Sequence, residues 1–263
     1  MRLVDWWHLL EDVHGVGTEL TKSMLVKLVH GYAGCAGPLQ ADWLLHRLER
    51  EGWIKREGRG RNSAFHIVAM QQRPPMRMPR AEWAKPWDRA WRVVTFDLPE
   101  VRRKHRQRLW KALRARRFGY LQRSVWIWPH DVQTMLTEII EAEGVPECFC
   151  GFKATQLFLC NDAEIVMSAW DFVEVTRRQR AYLSHHIATA RQMKAAADPA
   201  RLGALAREEW RGYEHAFSRD PLLPGELLPA GYQGESVQRQ HEQIRRELCQ
   251  QLRRLASLGV AGV

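Results

Sequence analysis

The chain has 263 residues, with 40 Lys+Arg against 30 Asp+Glu, a formal net charge of +10 and an apolar share of 45%. That balance belongs to a folded chain of roughly two domains and excludes wholesale disorder. No run approaches the ~18 apolar residues of a membrane-spanning helix, and five unevenly spaced cysteines do not make a secreted disulfide framework. Residues 1–15 carry acids inside their apolar run and do not read as a signal peptide, so a cytoplasmic protein is expected.

The charge is unevenly spread. Residues 1–90 carry 14 basic and 10 acidic side chains, residues 91–130 carry 11 and 2, and residues 131–263 carry 15 and 18. A basic first half joined to a mildly acidic second half fits a nucleic-acid binder with a separate regulatory or assembly region; a solvated basic face is the alternative.

In residues 19–31, Leu20, Met24, Leu25, Leu28 and Val29 recur at helical spacing and predict one buried stripe. A Gly-rich break follows, and Pro38 opens a second helix to Glu51, with Leu39, Trp43 or Leu44, Leu45 and Leu48 on its apolar side. Residues 53–68 predict a hairpin whose tip carries Arg59 and Arg61. Two helices, a turn and a basic hairpin make a winged helix-turn-helix, whose second helix enters the major groove. The candidate DNA-binding residues are Gln40, Trp43, His46, Arg47, Arg50, Arg59 and Arg61. Asp42 on the same helix opposes phosphate unless it accepts from a cytosine amino group. A protein-docking winged helix is the alternative.

Three prolines in residues 71–79 predict a linker, taken as 71–90. Residues 91–98 then suit a strand, and 101–117 a helix with Val101, His105, Leu109, Ala112 and Leu113 inward under a basic remainder. Residues 120–128 are strand-like, 132–143 helical with Val132, Leu136, Ile139 and Ile140 inward, and 148–160 contain further strand. The order β-α-β-β-α-β is the ferredoxin-like arrangement. Asp97, at the end of the first of these strands, is placed where a carboxylate can hold a divalent cation, but one carboxylate is thin support for a nuclease, and a strand-end turn contact is the plainer role. Cys148, Cys150 and Cys160 lack a second pair to complete a zinc site; their spacing equally buries the first two on one strand face. Beyond 171 the pattern is helical, interrupted by a proline-rich turn at 220–234. In the final helix, Val237, His241, Ile244, Leu248, Leu252 and Leu255 form a stripe that either closes a C-terminal bundle or serves a dimer.

The expected fold is therefore α+β: a winged helix-turn-helix (1–70), a linker (71–90), a ferredoxin-like domain (91–170) and a C-terminal helical domain (171–263). Four groups of residues carry a further resemblance. These are Phe96-Asp97-Leu98-Pro99 with Arg102 and Arg106; Phe118-Gly119-Tyr120; Ser124-Val125-Trp126-Ile127-Trp128-Pro129; and the Asp220-Pro221-Leu222-Leu223-Pro224 signature with Leu227-Leu228-Pro229. Together with Ala169-Trp170-Asp171 and, more weakly, Arg47-Leu48, Glu51-Gly52-Trp53 and Gly60-Arg61, they resemble the PaaX-like repressors of phenylacetate degradation.

The resemblance implies a homodimeric bacterial repressor, associated with the nucleoid and bound to a palindromic operator on double-stranded DNA. It also implies release by an aryl-CoA thioester such as phenylacetyl-CoA or another acyl-CoA, with no resident cofactor or metal and no enzymatic activity. It relates the middle domain to the small ferredoxin-like subunit of CRISPR adaptation complexes, which is what raises the alternative of a metal-dependent nuclease at Asp97. Gln40 and Asp42 stand where the family usually offers an arginine-bearing helix, and Tyr232 replaces the signature's tryptophan. A CoA thioester needs cations for its phosphates and an apolar slot for its acyl end. Arg102, Arg106, Trp126, Trp128 and Trp170 are the effector-binding candidates, each tryptophan serving equally as core. A dimeric module that docks proteins without reading sequence is the remaining alternative.

Overall fold

A computed structural model of the chain describes residues 3–16, 20–34, 38–58, 64–68, 78–144 and 149–260. It is an α+β protein with two antiparallel sheets, and its chain divides into two compact units. One gathers Met1–Met76, Gln179–Ala216 and Glu235–Val263; the other gathers Arg77–Arg178 and Phe217–Gly234. The units are thus cut differently from the segments read along the sequence, because the C-terminal helices contribute to both.

In the first unit, α1 (Leu3–Val16), β1 (Leu20–Thr21), α2 (Lys22–Ala33) and α3 (Pro38–Arg50) precede the hairpin β2 (Ile54–Glu57) and β3 (Ala64–Ile67). The three strands pair in the order β1-β3-β2, all antiparallel. Thr21 caps α2, its hydroxyl accepting from the Met24 amide at 3.3 Å, which satisfies one of the donors a helix start leaves free. The expected stripe of Leu20, Met24, Leu25, Leu28 and Val29 is buried, but Leu20 belongs to strand β1, paired with Phe65, and only the other four lie on the helix. On α3 the inward residues are Ala41, Leu45 and Leu48, so Trp43 is not part of its apolar side.

The same core takes in Met193, Leu202 and Leu205, and also Ile244, Leu248 and Leu252 of the final helix. The stripe read in that helix therefore closes this unit. Backbone meets backbone where Gly31 of α2 faces α9 (Pro199–Phe217): a methyl on Gly31 would stand 1.7 Å from the Ala200 carbonyl oxygen, and one on Gly203 would stand 2.0 Å from that of Leu28. Beside this crossing Arg207 donates to the Ala33 carbonyl at 2.7 Å, placing a cation at the negative end of α2.

The second unit opens with α4 (Pro79–Trp83), which corrects the C-terminal part of the expected linker. Pro79 sits in the first turn, where its missing N–H is no loss. Trp83 meets Tyr232 edge-on with ring centres 5.8 Å apart, so these residues are packed structure. The sheet follows as β4 (Trp91–Phe96), β5 (Gly119–Gln122), β6 (Val125–Trp128) and β7 (Phe149–Ala154), ordered β5-β6-β4-β7 and antiparallel throughout. The stretch 120–128 is two strands, broken by a turn at Arg123-Ser124. Helices α5 (Arg103–Ala115) and α6 (Gln133–Glu143) contribute Leu109, Leu113, Leu136 and Ile139 to the core.

Two inward assignments fail here. Val101 is 94% exposed because it lies in a 3-10 turn before α5, out of phase with the helix it was assigned to. Cys150 is exposed because it pairs with Thr95 on the sheet face turned away from buried Phe96, and Cys148 lies outside the described residues. After α7 (Asp162–Ala169) and α8 (Phe172–Ala195), the proline-rich segment 218–233 is tied down at Asp220. Its buried carboxylate accepts from the Leu222 amide at 2.8 Å and the Tyr232 hydroxyl at 2.6 Å, while its carbonyl accepts from Arg117 at 2.5 Å. The Asp-Pro signature is thus a rigid corner. Helix α10 (Gly234–Val260) is the last described element.

Candidate nucleic-acid interface

Burying Ala41, Leu45 and Leu48 forces the intervening residues of α3 outward. Trp43 and His46 are 59% and 54% exposed, Arg50 is exposed and Arg47 partly so. The Arg47 guanidinium lies 6.0 Å from the Trp43 ring centre and donates to Glu51 at 2.8 Å. A planar cation on an exposed indole is a pre-set shape for phosphate or a base edge.

The acids on α3 are already engaged. Lys22 reaches Asp42 at 2.9 Å, and the Lys22 ammonium holds that carboxyl below the usual carboxylate range. His46 lies 3.5 Å from Asp42 and 3.6 Å from Glu49, and Arg56 is 3.6 Å from Glu49. The repulsion expected from Asp42 is therefore largely offset within the fold, a pairing across α2 and α3 that sequence reasoning did not anticipate. Lys55, exposed on β2, is a further cation it missed. The side chain of Gln40 and all of Arg59 and Arg61 lie outside what the structure describes.

The effector candidates are placed otherwise than a binding slot needs. Trp126, Trp128 and Trp170 are buried in the core of the second unit. Trp128 and Trp170 meet edge-on at 6.3 Å, and Trp170 donates to the Arg117 carbonyl at 2.9 Å. Arg106 donates to Glu100 at 2.7 Å and to the Leu98 carbonyl at 3.2 Å, fixing the turn between β4 and α5, and Arg102 is partly buried at that turn. Asp97 is exposed after β4. Among the described residues no group of three or more His, Cys, Asp or Glu side chains is arranged to hold a metal ion.

The first unit contains a buried polar layer between helices. Glu209 accepts from the Tyr182 hydroxyl and lies 2.9 Å from His241 Nδ1, and Tyr213 stacks on His241 at 3.8 Å. One turn along, Arg245 pairs with Asp12, and with Glu11 at 3.1 Å. Burial pushes the Asp12 carboxyl up to about 6 despite the opposing pull of Arg245. The cavity lined by Asp12, Glu209, Trp210 and His241 has room for about one water molecule, which is far too small for a thioester of CoA.

Two family models match the chain: the PaaX protein central Cas2-like domain over residues 84–166 and the PaaX-like protein C-terminal domain over residues 170–257. Among curated relatives, the transcriptional repressor PaaX of Escherichia coli (strain K12) is 27% identical over 222 residues, covering 78% of this chain and 65% of that protein. Among solved structures, the uncharacterized protein Rv0674 from Mycobacterium tuberculosis superposes with a TM-score of 0.58 at 19% identity, covering 93% of this chain and 94% of its own. The chain belongs to the PaaX-like family. Among the described residues no helix is long and apolar enough to cross a membrane.

Proposed function

We propose that the protein is a DNA-binding transcriptional repressor, a non-enzyme, whose residues 1–70 act as a winged helix-turn-helix. Helix α3 reads the major groove, and the hairpin tip with Arg59 and Arg61 touches phosphate or the minor groove. The observation that carries this is the outward face of α3: Trp43, His46, Arg47 and Arg50 stand clear of the core while Asp42 is neutralised by Lys22. The βαββαβ order and the strand order β5-β6-β4-β7 support a ferredoxin-like reading of the central domain. The repressor acts as a cytoplasmic, nucleoid-associated homodimer on a palindromic operator, with its recognition helices about one DNA turn, ~34–36 Å, apart. An aryl-CoA or related anionic effector releases it from a catabolic operon.

The deciding experiment is a footprint on the region upstream of its own gene, repeated with a panel of acyl-CoA thioesters. A protected palindrome that one thioester clears supports the reading. Equal binding to every promoter fragment and to random competitor refutes it.

A further inference from the structure

The cations of α5 have no role in the reading above. The helix, RKHRQRLWKALRA, contains no acid. Leu109 and Leu113 are fully buried beneath it, and the opposite face exposes Lys104, Arg108, Lys111 and Arg114.

Local physics disfavours this arrangement. Cations at Arg103 and Lys104 occupy the helix start, where the macrodipole is already positive. Lys104 and Arg108, four residues apart, repel, as do Arg108 with Lys111 and Lys111 with Arg114, three apart. Glu100 answers Arg106 at 2.7 Å and Arg103 at 3.8 Å. Glu143 of α6, itself mostly covered, lies 3.6 Å from His105 and 3.9 Å from Arg108. Glu138 and Glu141 also belong to α6, yet Lys104 and Lys111 have no acidic partner among the described residues. Arg114 is held by ring faces, 5.8 Å from Trp110 and 5.9 Å from Tyr120. A self-repelling row kept on a rigid helix is the kind of local conflict that functional surfaces carry.

Its shape selects the anion. From Lys104 to Arg114 the row runs about 15 Å along the helix, and a helix face is convex, so the cations line up and do not converge. The phosphates of one small effector need converging groups in a concave site. A duplex instead offers an extended line of charge, one per ~1.7 Å of axis.

We propose that the exposed face of α5 is a second, sequence-independent contact to the phosphate backbone of duplex DNA, made by residues other than those that read bases. This rests on the repressor reading, and the experiment separates the two. Full-length wild type and the triple variant Lys104→Gln/Arg108→Gln/Lys111→Gln are titrated onto the upstream fragment and a random duplex of equal length, between 50 and 200 mM salt. A control variant removes Arg239, Arg246 and Arg254, exposed on α10, and thermal melts confirm that each protein is folded.

With about 0.9 of log–log slope per phosphate contact, losing two to three contacts means the triple variant's affinity should fall roughly 12–40-fold less across that range than wild type's. The change should be alike on both duplexes, leaving their affinity ratio intact, and the control should keep the wild-type slope. An unchanged slope in a folded triple variant that still prefers the upstream fragment overturns the inference and leaves the repressor reading standing. An equal change in the control reduces the effect to net charge and overturns it too. Retained slope with lost thioester release, or with altered oligomeric mass, assigns α5 to an effector or a second copy instead. Wild type with no preference for the upstream fragment removes the reading on which the inference rests.

Discussion

Replacing Gly31 or Gly203 by alanine tests whether the N-terminal helices and α9 share one core. The added methyl would lie 1.7 Å from a carbonyl oxygen in one case and 2.0 Å in the other, whereas ordinary contact needs about 3.5 Å. Both obstacles are backbone, so α2 and α9 must part by roughly 1.5 Å, which opens the packing of Leu28, Val29, Leu202 and Leu205 around them. Overpacking of this kind costs about 3 kcal/mol at the upper end of its usual range, and the helix preference of alanine over glycine returns about 1 kcal/mol. Each single variant should therefore lose about 2 kcal/mol, seen as a melting temperature lower by about 4–8 °C. Because the two glycines flank one crossing, the double variant should lose less than the sum of the singles. Gly151→Ala is the control, since a methyl there meets nothing within 4 Å. Thermal and urea melts of the whole chain decide the matter. If Gly31→Ala and Gly203→Ala both melt at or above the wild-type temperature, the backbone crossing is wrong.

Three further outcomes are expected. Exposed charge pairs are worth about 0.2–1 kcal/mol, so Asp42→Asn should tighten DNA binding roughly 1.5–5-fold and Lys22→Met weaken it comparably, read by fluorescence anisotropy; a weaker Asp42→Asn would mean the carboxylate itself reads a base. Tyr232→Phe strips a donor from the buried Asp220 carboxylate and should cost about 1–3 kcal/mol in urea unfolding; no loss would show that the corner is held elsewhere. Asp12 titrates near 6 when folded and near 3.8 when free, so the folded chain keeps that proton longer, and stability is lost as pH rises from about 4 to about 6. Asp12→Asn should lack that part of the pH profile, and a wild type that gained stability over Asp12→Asn in this window would contradict the burial argument.

What was legible in the sequence was what is local. The stripes at Met24–Val29 and Val237–Leu252 announce helices because one face repeats every three or four residues, and both are buried; Leu20, read into the first, reaches the core from strand β1, and Leu255, read into the second, is only partly covered. Val101 was misplaced because Pro99 resets the phase and a 3-10 turn intervenes. Cys150 escaped because alternation shows that a strand has two faces without showing which of them the core covers. The Gly31–Gly203 crossing and the Lys22–Asp42 pair join different helices, and neither leaves a periodic mark. On α3, the outward placement of His46 and Arg50, and in part of Arg47, was legible because the apolar stripe fixes what faces away from it. The tryptophans were not, since an indole suits a binding slot and a core equally; only the packing of Trp126, Trp128 and Trp170 places them inside.

The shared core of the first unit has a consequence for how the protein is born. Residues through Met76 carry α2 and α3, yet the core they join also takes in Ile244, Leu248 and Leu252, which leave the ribosome long afterwards. At about 5–20 residues per second that delay is on the order of ten seconds or more. During it the nascent segment carries uncovered Leu and Val side chains, a natural client for a chaperone. The helix proposed to read the groove is thus among the first parts made and among the last to be finished, so translation that stops short of α10 should release a chain without a complete first core.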